Sequence, residues 1–260
     1  MDILEKIIAE KKPRIERQKS LVPVSQLQKS VFFERQPFSM KSALQAPDAS
    51  GIIAEFKRKS PSKGFINPRA DVVEVTAGYA QAGAGALSVL TDQKFFGGAD
   101  TDLIRARKHN DIPVLRKDFI FDEYQIMEAK SIGADVILLI AEVLTKDTIK
   151  DFVRLAHSLG LEVLMELHDA SQLNKIIPEI DLIGINNRNL KTFEVSIQNS
   201  IEMIKKLPEG FTYVSESGIR QPEDVTRLKL YGFQGFLIGE SFMKTENPAR
   251  ACEKFIESLR

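Results

Sequence analysis

Ile52-Ile53-Ala54-Glu55-Phe56-Lys57-Arg58-Lys59-Ser60-Pro61-Ser62 runs from an apolar pair into a basic, serine-bearing loop. On a strand, residues two apart share a face, so Glu55 and Lys57 project together. A carboxylate and an ammonium at the end of one buried strand are costly to keep dry without a purpose. Ser60, Ser62 and Gly64 follow in a loop of the kind that meets an anion. The stretch reads as an acid/base pair beside an anion site, built on the first strand of something larger.

Working outward, the same rhythm repeats. Apolar runs at 52–56, 86–90, 113–115, 136–140, 163–167, 182–185, 212–214 and 236–238 alternate with helical patterns. Those patterns cover 71–83, 100–109, 122–132, 146–159, 169–177, 197–206, 221–231 and 247–258. Thr145 is placed to cap the fourth, Gly160 ends it, and Pro222 sits in the first turn of the seventh. Starts recur every ~20–35 residues, which suits βα units and a parallel sheet. Eight units predict an α/β fold of the (β/α)8 TIM-barrel type rather than an open doubly wound sheet. No GxGxxG follows any strand and no GxxxxGK[ST] loop occurs, which weakens nucleotide-binding alternatives. Upstream, Ile3, Leu4, Ile7 and Ile8 form one helical stripe, with a bend or restart expected at Pro13. Pro23, Pro37 and Pro47 punctuate short pieces, and Phe32, Phe33 and Phe38 read as apolar anchors. Residues 1–50 are therefore an N-terminal helical extension of a single 1–260 barrel domain.

Composition narrows the function. Of 260 residues, 43% are hydrophobic and 28% charged, which fits a globular fold. Lys+Arg and Asp+Glu are both 36, so an anion site must come from local clustering, and a nucleic-acid surface is not expected. Cys252 is the single cysteine, which excludes intrachain disulfides and cysteine-based metal sites. Three scattered histidines give no metal-ligand spacing, so no metal is expected. The N-terminus lacks a signal-peptide pattern and no apolar run approaches the ~18 residues of a membrane span. A cytoplasmic monomer with no membrane partner is the expectation.

A barrel carries its active site at the C-terminal strand ends. Glu55, Lys57 and Ser60 follow strand 1, and Arg116-Lys117-Asp118 follows strand 3. Glu166 shares the parity of Leu164, and Asn186 and Arg188 share that of Gly184. Glu55, Lys57, Lys117 and Glu166 together predict a site, because charges at the ends of apolar strands are scarce. Arg116 could equally point outward into helix packing. His168 and Asp169 read as the start of the next helix, Asp169 as its cap, and His109 and His157 as surface or packing residues on helices. Ser217-Gly218 after strand 7 and Gly239-Glu240 after strand 8 sit where many barrels hold phosphate with backbone N–H groups. Lys57 and Ser60 could complete that shell from across the barrel, with Glu240 giving its amide and turning its carboxylate away.

Six motifs resemble one family. Glu55-Phe56-Lys57-Arg58-Lys59-Ser60-Pro61-Ser62, Leu115-Arg116-Lys117-Asp118-Phe119, Met165-Glu166-Leu167-His168, Gly184-Ile185-Asn186-Asn187-Arg188, Ser215-Glu216-Ser217-Gly218-Ile219 and Leu237-Ile238-Gly239-Glu240-Ser241 are similar to indole-3-glycerol-phosphate synthase. The resemblance spans the chain. It implies ring closure, decarboxylation and dehydration of 1-(2-carboxyphenylamino)-1-deoxyribulose 5-phosphate, with no cofactor. It also implies Lys117 as general acid, Glu166 as general base, and Glu55 and Lys57 completing dehydration. Asn186, Arg188 and Glu216 would orient the substrate. Ser60, Ser217, Gly218, Gly239 and Glu240 would hold its phosphate, and Phe95 and Phe96 would wall its aromatic ring. Asn189 departs from the aspartate common in that family, and the chain leaves no room for the fused second barrel of some relatives. The 57–67 loop is expected to close over substrate.

Overall fold

The computed structural model describes residues 3–189, 192 and 194–259; Met1 and Asp2 of the N-terminal stretch lie outside them. Eight parallel strands close into a barrel: β1 Ile52–Phe56, β2 Ala86–Leu90, β3 Val114–Lys117, β4 Val136–Ile140, β5 Glu162–Leu167, β6 Leu182–Asn186, β7 Thr212–Glu216 and β8 Gly235–Ile238. All eight expected runs become strands. Several extend past the apolar run to include Lys117, Asn186 and Glu216. Backbone pairing does not stop at the first polar side chain when that side chain faces the barrel mouth. Ile53 pairs with Ala86 of β2 and with Leu237 of β8, so no edge is left open.

Strand alternation makes two cores. Ile53, Leu115, Leu138, Leu164, Leu182, Val214 and Leu237 fill the barrel interior. Ala54, Leu87, Val89, Ile137, Leu139, Met165 and Ile183 face outward under the helices. Burial on both faces explains why the strands read as unbroken apolar runs.

The helices start where side chains satisfy their first N–H groups. Asp71 accepts from Val73 and Glu74, Asp122 from Tyr124, and Thr145 from Thr148. Pro222 occupies the first turn of its helix, as expected. One expectation is corrected: 169–177 is not an α-helix but a 3₁₀ helix, Ala170–Lys175, capped by Asp169. Pro178 disfavours helical geometry at the residue before it, and the chain is already extended at Ile176. The N-terminal helix, Ile3–Leu21, runs through Pro13 without restarting. Buried Ile7 and Ile15 hold it on either side, each side chain contributing ~1.5–3 kcal/mol.

The extension plugs the barrel at both ends. Leu4 and Ile7 join the interior core from the mouth side, and Met40 and Leu44 join it too. The latter pair comes from a short helix, Met40–Gln45, tied to the opposite end of the barrel. There Glu162, first residue of β5, accepts from the N–H groups of Met40 and Lys41 at 2.7 and 3.0 Å. Gln45 donates to Thr212, first residue of β7, at 2.8 Å.

Candidate active site

At the C-terminal strand ends lies a cavity of about 390 Å³. Inward parity brings charged residues of four strands and Asn186 of a fifth to it. Lys117 Nζ lies 2.7 Å from Glu166 Oε2 and 2.6 Å from Glu216 Oε2. Asn186 Nδ2 donates to Glu166 Oε1 at 3.2 Å. Beside this cluster Lys57 Nζ meets Glu55 Oε1 at 2.7 Å, while Ser88 Oγ donates to the other Glu55 oxygen at 3.4 Å. Glu55 and Lys57 thus share a face as their spacing predicts.

Two glycines make room for these carboxylates. A Cβ at Gly184 would stand 2.2 Å from Glu216 Oε1, and one at Gly239 would stand 2.4 Å from Glu55 Oε1. Glu216 Oε1 is buried without a hydrogen-bond partner among the described residues. The resemblance places Glu216 near substrate hydroxyls; in the fold its first partner is the Lys117 ammonium.

Burial and charge set the protonation pattern. Burial pushes the Glu166 carboxyl up, but Lys117 and His168 outweigh it and hold it well below the usual carboxylate range. Glu216 is pushed up to about 7: burial is the main cause, Lys117 opposes it, and the Glu166 charge adds to it. Burial also disfavours the Lys117 ammonium, yet Glu166, Glu216 and Glu55 outweigh burial and raise its pKa above the ordinary lysine value. The resting cluster is therefore a firmly protonated lysine, an ionised Glu166 and a Glu216 that titrates near neutrality.

The anion end lies across the mouth. Ser217 has φ of 68° and Gly218 of 80°, and a Cβ on Gly218 would come within 2.6 Å of Val195. A non-glycine residue in the left-handed region is uncommon and marks a constrained turn. The N–H groups of Ser217 and Gly218 donate to no protein acceptor among the described residues. Gly239 caps the helix Glu240–Met243, whose first N–H groups have no intrahelical partner. Ser60, Lys57, Ser217, Gly218, Gly239 and Glu240 all line the one cavity. Arg188 spans the rim: its guanidinium lies 3.3 Å from Ser62 Oγ and 3.9 Å from the Glu240 carboxylate.

The loop after β1 carries structure that the sequence did not announce. Lys59–Ser60 and Gly64–Phe65 pair as a two-stranded antiparallel hairpin. Arg58 anchors its base, with a bidentate contact to Asp102 at 2.6 and 2.9 Å and its guanidinium over the Phe56 ring.

An apolar wall completes the cavity. Phe96 lines it together with Phe119, their rings 5.9 Å apart. Phe95 packs against the interior core instead. Ile3, Leu4 and Ile7 of the N-terminal helix also line it, which strand-end reasoning missed. Buried Lys11 of that helix donates to Asp118 at 2.6 Å and fixes the helix over the mouth. Arg116 points outward, as one of its two readings allowed. His109 ends one helix and His157 pairs with Asp181 at 2.9 Å, both away from the cavity.

The sequence profile of the family described as indole-3-glycerol phosphate synthase matches residues 4–255. An indole-3-glycerol phosphate synthase of Bacteroides thetaiotaomicron is 49% identical over 259 residues, covering 100% of this chain and 99% of the relative. One of Ruminiclostridium cellulolyticum is 43% identical over 246 residues, covering 94% of each. Among solved structures, 3-hexulose-6-phosphate synthase from Salmonella typhimurium superposes with a TM-score of 0.62 at 14% identity, over 81% of this chain and 100% of that one. The tryptophan synthase complex from Pyrococcus furiosus gives 0.58 at 17% identity, over 81% and 98%. At those identities the structural likeness speaks for the barrel fold alone.

Proposed function

The chain belongs to the indole-3-glycerol phosphate synthase family, and on that premise we propose how its barrel mouth divides the work of the reaction. The protein is a decarboxylating lyase of tryptophan biosynthesis. It converts 1-(2-carboxyphenylamino)-1-deoxyribulose 5-phosphate to indole-3-glycerol phosphate, carbon dioxide and water.

The substrate's phosphate sits against the N–H groups of Ser217, Gly218, Gly239 and Glu240, with Ser60 and Lys57 closing the shell. Its aromatic ring lies toward Phe96, Phe119, Leu4 and Ile7. Arg188 and Asn186 orient the carboxylate and hydroxyls between those ends. Lys117 donates its proton to the ketone oxygen as the ring carbon attacks it. Two of its three donor positions are taken by carboxylates, which leaves one for the substrate. Loss of carbon dioxide then restores aromaticity. Glu166, ionised and fixed through both oxygens, takes the proton released in dehydration, and Glu55 with Lys57 assists departure of the hydroxyl.

One observation carries this reading: a single ammonium held at 2.6–2.7 Å by two buried carboxylates at the open end of the barrel. We also propose a cytoplasmic monomer working as one 1–260 domain, with 1–50 as its extension. Support comes from the extension's packing into the barrel core and from the lack, among the described residues, of any helix long and apolar enough to cross a membrane. Indole fluorescence on mixing purified protein with the carboxyphenylamino substrate tests the activity. Glu166→Gln is expected to lower kcat by ~10²–10⁴-fold; unchanged turnover would remove Glu166 as the base. A borohydride-stable adduct at Lys117 would replace acid catalysis with a Schiff-base mechanism.

A further inference from the structure

We infer that His168 is a positioning residue of this reaction, holding the Glu166 carboxylate against Lys117 and setting how readily it takes up and releases a proton. The inference rests on the reading of Glu166 as the base. His168 follows Glu166 by two residues at the exit of β5, so it shares the inward face. Its Nε2 lies 3.1 Å from Glu166 Oε1, and its side chain is only 9% exposed. The ring is not among the residues lining the cavity, so it addresses the carboxylate from behind rather than the substrate.

The backbone around it is pinned. The His168 N–H donates to Gln172 Oε1 at 2.8 Å, and its carbonyl accepts from Asn199 at 3.5 Å. Gln172 is itself buried on the 3₁₀ helix and donates to Glu142. The imidazole therefore stays beside Glu166 instead of swinging to solvent. Neither ring nitrogen makes an aligned hydrogen bond among the described residues, so the contact works through charge and proximity.

The charged groups around the ring are Glu166 on its own strand, Glu216 on β7, Lys117 on β3, and Glu142 after β4 across Gln172. Burial alone would pull the imidazole's pKa down; the Glu166 and Glu216 carboxylates outweigh it and raise it, with Lys117 opposing. The imidazole and Lys117 thus meet opposite oxygens of one carboxylate. When Glu166 takes a proton from the substrate, it becomes a neutral acid held between the Lys117 ammonium and the His168 ring. The ammonium, joined by the ring when it is protonated, favours return of that proton to water, which restores the base for the next turnover.

The test compares kcat and KM against pH for the wild type, His168→Leu, His168→Gln and Glu166→Gln, with NMR titration of the His168 ring. His168→Leu is expected to lower kcat ~10–100-fold through misplacement of the base, with KM changed by less than ~3-fold. It also moves the acid limb of the profile, and His168→Gln recovers most of the loss at neutral pH. In Glu166→Gln the imidazole titration falls toward the ordinary histidine value. A His168→Leu enzyme with wild-type kcat and pH profile, beside an inactive Glu166→Gln, overturns this inference alone. A fully active Glu166→Gln overturns the base itself. Should His168→Leu not fold, an imidazole midpoint identical in wild type and Glu166→Gln overturns the inference.

Discussion

Arg116 and Lys117 are neighbours on β3, the first buried and the second half-buried, both held by carboxylates, yet they sit on opposite sides of the sheet. Arg116 faces the helices. It meets Glu128 at 2.6 Å, Asp100 at 3.1 Å and Asp118 at 3.3 Å, and also donates to the Gln125 carbonyl at 2.9 Å. Its side chain is 2% exposed, against 13% for Lys117. Every direction around the guanidinium is occupied by protein, whereas the ammonium has one side open to the cavity. Burial works against both charges and their carboxylates outweigh it, so both are held protonated. The difference is in what the charge can do. An arginine does not release its proton, while a lysine with a free donor direction can. A buried ion cluster becomes chemical only when its cation is exchangeable and one of its faces is left to a ligand.

The sharpest way to break that comparison is to remove each cation. Lys117→Met is expected to lower kcat by ~10²–10⁴-fold while a product analogue still binds. Its fold survives because Glu216, already titrating about 7, takes up a proton in place of the lost charge. Arg116→Met should do the reverse: about 3–5 kcal/mol less stable in urea melts, because it strands buried Glu128, with near-normal kcat in the cold. If Arg116→Met lost turnover at full stability, the division between the two faces would fail.

A smaller effect sharpens the inner cluster. Glu216 binds its proton more tightly folded than unfolded, from the usual 4.5 up to about 7. Between those values the native state holds a proton that the unfolded chain has lost, so this group's contribution makes stability fall as pH rises through the window. Its slope is at most ~1.4 kcal/mol per pH unit. Glu166, held low, acts the opposite way and loses its contribution only at more acid pH. Melts between pH 5 and 8 should therefore show a slope that Glu216→Gln flattens; an unchanged slope would mean that another group carries that proton.

The residues that strand parity could find were those whose side chains extend the inward face of a strand. Glu55, Lys57, Lys117, Glu166, Asn186 and Arg188 follow from period two once the strands are placed. Arg116 stayed ambiguous because parity fixes a face only when the register of the strand is known. What stayed hidden depends on partners distant in the chain. Nothing local in the stripe of Ile3, Leu4 and Ile7 says that it roofs a barrel mouth, and Lys11 shows its purpose only beside Asp118. Gly184 reads as a weak point in a strand until Glu216 is seen to occupy the space of its missing side chain. His168 looked like a helix start because the segment after it has turn-forming residues, and only the fold sets its ring against Glu166.

The pairing of β1 with β8 has a consequence for how the molecule comes into being. Ile52 waits for Phe236 before its outer edge is covered. At ~5–20 residues per second, a nascent chain carries that open edge for on the order of ten seconds or more. Over the same interval Glu55 lacks Gly239, the residue against which its carboxylate finally rests. The seal of the barrel and the joining of the two halves of the catalytic mouth are thus one event, and both wait for the last strand to be made.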